Sequence, residues 1–169
     1  MSNYEGLISS NEVTFKDAGI DASALITRTD TKGNITFASK GFREMTLYDK
    51  NELIGKPHNI IRHPFMPKAV FKEMWDTIKE GRPWSGIVVN KRKDNKHYWV
   101  RVFIDAIDGE GNIVSALGYY GGPRDKKEIA GYIALRREPT REEVKKAINV
   151  YKKLKAVEGI KRHFPQGVE

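Results

Sequence analysis

Apolar and polar residues alternate in two stretches of the chain, and each stretch predicts a β-hairpin. Residues 24–39, "ALITRTDTKGNITFAS", place apolar and β-branched residues on both sides of the turn residues "DTKGN". Residues 84–107 repeat this pattern over a longer span, with "DNK" as the turn between "WSGIVVNKRK" and "HYWVRVFIDAI". Beyond the turn "DGEGN", two further strands are expected in "IVSALGYYGG" and "EIAGYIALRRE".

Apolar residues recur at helical spacing between the two hairpins. They stand four positions apart from Met66 to Ile78, and Phe71 and Trp75 widen the same stripe, which predicts a helix over residues 66–81. The preceding "KGFREMTLYDKNELIG" has the same spacing and predicts two short helices. The prolines that flank "HNIIRH" leave room there for at most one helical turn.

A last helix is expected near the C-terminus. Thr140 and Glu143 have the spacing of a capping box, and Val144, Ile148 and Tyr151 begin an apolar stripe. The order of elements predicts an α+β fold, in which an antiparallel sheet of five or more strands carries helices over one face, plus this C-terminal helix. Such a layout leaves a cavity between the helices and the concave face of the sheet.

Composition excludes several kinds of chemistry. The 169 residues contain no cysteine, which rules out disulfides, thiolate metal sites, a cysteine nucleophile and a cysteinyl cofactor adduct. No stretch approaches the roughly 20 apolar residues of a membrane span, and the N-terminus is not a signal peptide. We therefore expect a soluble, cytoplasmic protein. With no G-x-S-x-G motif and no paired acids, we expect a binding module and not an enzyme.

The positive charge of the chain does not predict a nucleic-acid site. The formal net charge is +8, but the excess is scattered. Its densest runs lie at residues 90–101, where a hairpin tip is expected, and at residues 144–163, on one helix face. No nucleic-acid-binding motif accompanies them.

The stretch "PHNIIRHPFMPK" at residues 57–68 and the following "RPWSGIVVN" hold the candidate binding chemistry. The guanidinium of Arg62 can donate hydrogen bonds to a phosphate or to a ring carbonyl. His63 can be a neutral hydrogen-bond partner or a cation. Asn90 offers both a donor and an acceptor, and Trp84 can stack on a flat ring. A metal site is not expected, because the two histidines are five residues apart and lack a carboxylate cluster.

These motifs together resemble one known family. "PHN-x-x-RHP-x-MPK", "MW", "PWSG" and "HYWVR" occur with the order and spacing found in the PAS domains of Aer-type aerotaxis and energy-taxis receptors. The resemblance implies a PAS fold with a non-covalently bound FAD, whose redox state reports oxygen or electron-transport status to a chemotaxis receptor or signalling domain. It also implies the boundaries: 1–22 as an N-terminal cap segment, 23–138 as the PAS sensor domain, and 139–169 as the C-terminal helix and tail.

Carrying the motifs over residue by residue gives the candidate cofactor-binding set. Its members are Trp84, Arg62, His63, Asn90, Tyr98, His58, Ser39 and Trp75. For Trp75 and Trp99 ordinary core packing is the favoured interpretation, and for His58 a histidine that fixes its turn. The chain departs from the family at Ser39, where asparagine is frequent, and at Phe65, where an acid is frequent; either change can alter flavin affinity or cofactor choice.

Two alternatives remain open from the residues alone. One is a PAS sensor for haem or another small ligand, since some PAS domains use a helix histidine as axial ligand. The other is a cofactor-free interaction module that dimerises through its terminal helices. The segment at about 108–127 is longer than the family's usual turn and is expected to add a hairpin. If the chain is a whole protein, it is expected to signal by contact with a separate membrane-bound receptor.

Overall fold

The computed structural model describes residues 11–21, 25–114 and 128–163, without the side chains of 161–163. A short 3-10 turn, His58–Ile61, lies between the third and fourth α-helices. The elements, in chain order, are α1 (Phe15–Ala18), β1 (Leu25–Asp30), β2 (Ile35–Ala38), α2 (Lys40–Thr46), α3 (Lys50–Leu53), α4 (Lys68–Ile78), β3 (Trp84–Lys91), β4 (His97–Ile107), β5 (Gly131–Arg137) and α5 (Arg141–His163).

The strands form one antiparallel sheet in the order β2-β1-β5-β4-β3. The strand that arrives last in the chain therefore lies in the middle, between the two hairpins. This confirms the predicted α+β architecture, with five strands in the part of the chain described. Ile113 forms an isolated bridge to Ile107 after the turn, but most of the expected extra strand lies outside the described residues.

The two faces of the sheet have different partners. On the concave face, the side chains of Trp84, Val88 and Asn90 point in phase towards α4 and the 3-10 turn. The opposite face packs against α5, whose Tyr151 hydroxyl donates to the Ile87 carbonyl. Trp99, which alternates onto this second face, is buried in the core. The core-packing interpretation of Trp99 is confirmed.

The C-terminal helix begins as predicted. The Glu143 N–H donates to Thr140 Oγ1 at 3.0 Å, and the Thr140 N–H donates back to Glu143 Oε1 at 2.9 Å, which completes the capping box. The same carboxylate pairs with Arg101 of β4 at 2.9 Å. Cap and ion pair together fasten the start of α5 to the sheet.

The helices differ from the sequence-based prediction in two places. The helix expected over residues 66–81 spans Lys68–Ile78, because Pro67 stays extended and acts as its N-cap. A short helix, α1, was not predicted, although Thr14 and Asp17 form a capping box around its first turn. No helix in the described ranges is long and apolar enough to cross a membrane.

Candidate cofactor site

A cavity of about 300 Å³ lies between α4, the 3-10 turn and the concave face of the sheet. Its volume is at the lower end of the range for small-molecule pockets, enough for a ring-sized group. Most of its walls are apolar or aromatic, and the few polar groups come from both the sheet and the 3-10 turn. This combination is typical of a site in which polar groups orient a largely apolar ligand.

Trp84 forms one wall of the cavity and is held in a single position. Its indole lies over Gly86, where an added Cβ would come within 2.4 Å of the ring. Its Nε1–H donates to Glu73 Oε1 of α4 at 2.9 Å. The glycine of "PWSG" is therefore what allows the ring to lie flat along the sheet, and Glu73 ties that ring to the helix.

The helix contributes a second aromatic wall. Phe71 and Trp75 of α4 line the cavity, and the Trp75 ring meets Tyr132 of β5 edge-on at a centroid distance of 5.6 Å. Gly33, in the β1–β2 turn, has a φ of +88° and would place a Cβ 3.2 Å from Trp75. Trp75 thus packs in the core and lines the cavity at once.

Arg62 lies at the cavity with its guanidinium over an aromatic ring. Its central carbon is 4.0 Å from the centroid of the Phe71 ring, a cation–π contact. Its backbone forms an isolated antiparallel bridge with Asn90 at the end of β3. Since Asn90 is buried and also lines the cavity, the bridge places both side chains at the same end of the site.

A buried cluster of polar groups lies deeper in the cavity. The Arg136 Nη2 on β5 is 2.9 Å from His58 Nε2 and donates to Thr27 Oγ1 at 3.1 Å. Burial, together with the nearby Arg136 charge, lowers the pKa of His58 to about 3, so this histidine is neutral. Burial also lowers the pKa of Arg136, to about 10, which leaves the guanidinium charged at neutral pH.

Five of the eight candidate residues line the cavity: Trp84, Arg62, Asn90, His58 and Trp75. The other three lie outside its lining. Ser39 caps α2 instead, because its hydroxyl accepts the Phe42 N–H at 3.3 Å and the Ile26 N–H at 3.0 Å.

His63 and Tyr98 lie beside lining residues without lining the cavity themselves. His63 Nδ1 accepts the Phe65 N–H at 3.0 Å, and its ring meets that of His97 edge-on at 5.8 Å. Burial, then the charges of His97 and Lys91, lower the pKa of His63 to about 4. Tyr98 pairs with Asn90 across the ladder and is fully buried, which raises the pKa of its phenol.

The sequence-based reasoning missed Arg136. Its signal is the alternation of β5: Tyr132, Ala134 and Arg136 share one side of the strand, and all three line the cavity. A charged residue in phase with two inward-facing ones marks a candidate site residue. Arg137, next along the strand, points outward and pairs with Glu143 at 3.1 Å.

Comparison with known proteins identifies the fold. A family model described as "PAS fold" matches residues 35–120, which are 86 of the 169 residues. Among solved structures, the chain resembles the light state of the blue-light photoreceptor Aureochrome1 LOV with a TM-score of 0.59 and 20% identity, covering 78% of this chain and 93% of that one. These matches confirm the predicted PAS fold.

Two curated proteins are similar in sequence. The aerotaxis receptor of Escherichia coli (strain K12) is 40% identical over 142 residues, which are 84% of this chain and 25% of the receptor. The nitrogen fixation regulatory protein of Klebsiella pneumoniae is 30% identical over 86 residues, 51% of this chain and 17% of that protein. The chain therefore spans a quarter or less of the length of these relatives.

Proposed function

Because this chain belongs to the PAS-fold family, we propose that its cavity binds a flavin, FAD, and that the domain is a redox or oxygen sensor for aerotaxis or energy taxis. It acts by binding and by changing its contacts with a chemotaxis receptor or signalling domain, without catalytic turnover. The observation that carries the proposal is the cavity itself, where flat aromatic walls meet two arginines.

The residues present suit the chemistry of a flavin. Its isoalloxazine ring is flat and largely apolar, with a polar edge of carbonyl and nitrogen atoms, and FAD adds an anionic pyrophosphate. Trp84 and Trp75 offer apolar walls, and Asn90 offers a donor and an acceptor for the polar edge. Arg62 and Arg136 supply the cations that an anionic group requires. A bound flavin supplies a redox-active ring whose charge depends on its electron count.

The similarity to an aerotaxis receptor supports the sensory role. That match covers most of this chain, including every candidate residue from Ser39 to Tyr98 that the motifs predict. We propose that the present chain likewise signals to a chemotaxis receptor or signalling domain. Homodimerisation through the terminal helices is part of the same proposal.

The state of His58 argues against haem as the ligand. An axial histidine needs a ring nitrogen free to coordinate iron. The Nε2 of His58 faces both Arg136 and Thr27, at 2.9 and 3.2 Å, and the adjacent guanidinium opposes a metal cation at that atom.

Flavin titration of three variants tests the site. Trp84→Ala removes a wall, and Arg62→Ala removes a charge beside Phe71. Aromatic contacts contribute about 1 kcal/mol beyond burial and charge-assisted hydrogen bonds about 1.5–3 kcal/mol. Each variant should therefore bind FAD roughly tenfold to a hundredfold more weakly. Lys96→Ala, at the exposed hairpin tip, is the control and should bind like the wild type.

Foldedness has to be matched before affinities are compared. Far-ultraviolet circular dichroism and a urea midpoint should be measured for each variant, because truncating Trp84 also opens the core. If Trp84→Ala and Arg62→Ala are folded and still bind FAD with wild-type affinity, the cavity is not the flavin site.

A further inference from the structure

We propose that Arg136 makes this cavity selective for a negatively charged ring and, once a flavin is bound, holds the reduced ring as its anion. The inference rests on the proposed flavin site and goes further, since it assigns a determinant of redox potential to a residue outside the motif-derived set. Arg136 acts here as a charge placed at the site and takes no part in bond making.

The first observation is a buried cation without a counterion. Arg136 is 7% exposed, and no carboxylate within the described ranges lies at ion-pair distance from it. The nearest groups are neutral: His58, Thr27 and the ring of Phe42, whose centroid is 4.9 Å from the guanidinium carbon. A buried charge is costly unless it is paired, so this arrangement predicts a ligand that brings the missing negative charge.

The second observation is that the guanidinium of Arg136 makes fewer hydrogen bonds than it has N–H groups. A guanidinium has five N–H groups. Nη2 bonds to Thr27 and His58, and Nη1 reaches only the Ala134 carbonyl, at 3.5 Å. Nε is buried with no hydrogen-bond partner. Nε and Nη1 therefore each keep one N–H group without a partner among the described residues, on a side chain that lines the cavity.

Neighbouring groups hold Arg136 in place and keep its charge uncompensated. His58 accepts from Arg136 through Nε2, so the neutral ring carries its proton on Nδ1. Tyr98 is the titratable group that faces it from β4, and burial keeps that phenol protonated. From α2 the Phe42 ring packs against its guanidinium. Arg136 therefore contributes a charge of +1 across the neutral pH range, in addition to Arg62 and Lys32, which also line the cavity.

The consequence for a flavin follows from its proton count. Two-electron reduction with uptake of one proton leaves the reduced ring with one negative charge, whereas uptake of a second proton makes it neutral. Arg136 stabilises the first product and not the second, because only the first is an anion. In the experiment the electrons come from dithionite and the protons from the buffer, so both reductions balance.

The test is the midpoint potential of the FAD-loaded protein between pH 6 and pH 8, in the wild type and two Arg136 variants. If one proton is taken up with the two electrons, the midpoint potential falls by about 30 mV per pH unit; if two protons are taken up, it falls by about 60 mV per pH unit. We expect about 30 mV for the wild type and for Arg136→Lys, which keeps the charge. Arg136→Met should approach 60 mV, with a potential at pH 8 lowered by 30 mV or more, equivalent to at least a tenfold loss of selectivity for the reduced state.

Arg137→Met is the matched control, since it removes the same charge from the next position of β5 but on the outward side. It should keep the wild-type slope. A variant that loses FAD altogether is measured through its affinities for oxidised and reduced lumiflavin, a flavin without phosphate, whose ratio reports the same selectivity. Arg136→Gln replaces Arg136→Met if the latter does not fold.

The outcomes separate the two proposals. If Arg136→Met keeps the wild-type slope and potential, or if its loss of affinity is confined to FAD and absent for lumiflavin, then Arg136 does not act on the ring and the inference is overturned while the flavin site stands. A wild-type protein that takes up no flavin overturns both, and its absorption spectrum shows this before any potential is measured.

Discussion

Replacing Gly86 with alanine tests whether the position of Trp84 shapes the cavity. An alanine Cβ at this position would lie 2.4 Å from Cη2 and 2.6 Å from Cζ2 of the indole, whereas ordinary contacts begin at 3.4 Å. The ring therefore has to retreat by about 1 Å, the difference between 3.4 and 2.4 Å. Its hydrogen bond to Glu73 opposes that movement, because it fixes the indole edge to α4.

We expect Gly86→Ala to destabilise the protein, although the intrinsic preference of strands for alanine over glycine would by itself predict stabilisation. Alanine in place of a strand glycine normally stabilises by about 0.5–1 kcal/mol. Overpacking of a filled site costs about 1–3 kcal/mol, so we expect Gly86→Ala to lower the free energy of unfolding, by about 0–2.5 kcal/mol after the two effects are combined. Since the displaced ring intrudes on the cavity, FAD affinity should fall at least tenfold.

Urea unfolding followed by circular dichroism gives the stability, and a fluorescence titration gives the FAD affinity. Gly109→Ala is the control, since a Cβ there meets nothing within 4 Å. A double-mutant cycle isolates the clash: in a Trp84→Leu background the same Gly86→Ala change should no longer destabilise. A loss of unfolding free energy from Gly86→Ala that is as large with leucine at position 84 as with tryptophan would refute a clash with the indole.

Further predictions concern the terminal helix, a turn and the response to light. The pKa of Glu143 is lowered to about 2 by Arg137, the Thr140 N–H and Arg101. The contribution of this carboxylate to stability is therefore complete above the unfolded pKa near 4.5 and is lost as pH falls towards 2. The melting temperatures of Glu143→Gln and wild type should differ at pH 7 and converge over that window. Gly33→Ala should destabilise by about 1–3 kcal/mol in urea, because φ is +88° and the Cβ meets Trp75. Illumination of flavin-loaded protein without reductant should leave no long-lived bleached adduct in the absorption spectrum, because the chain has no cysteine.

Local patterns were sufficient to predict most of the fold. The turn residues between β1 and β2 and between β3 and β4 stand where the hairpins reverse, and Thr140 with Glu143 marks the start of α5. These features depend on residues close together in the sequence. The same kind of signal, a capping box around Thr14, was present for α1 but spans only four helical residues, too few for an apolar periodicity.

The candidate site was only partly predictable, because the cavity forms between distant segments. Trp84, Arg62 and Asn90 stand in the motifs that predicted them, and all three line the cavity. Two arginines stand side by side on β5; alternation places them on opposite faces, and the strand's register against β1 and β4 shows that Arg136 is the one that points inward.

The same limit applies to residues whose role depends on a neighbour distant in sequence. Ser39 was predicted for the site on its position after β2, but it stands where α2 needs an N-cap, and its hydroxyl is committed there. Phe65 replaces a frequent acid and is buried against Tyr151 of α5, at a ring-centroid distance of 6.4 Å. Phenylalanine at position 65 therefore helps to attach the C-terminal helix. No sequence pattern around residue 65 reveals this contact.

The central claim, that the cavity holds a flavin, is tested most directly by the absorption spectrum of the purified protein in air and after dithionite. We predict two visible bands with fine structure that bleach on reduction and return in air, with FAD as the compound released on denaturation. A Soret band, or no visible absorption even after incubation with excess FAD, would contradict it.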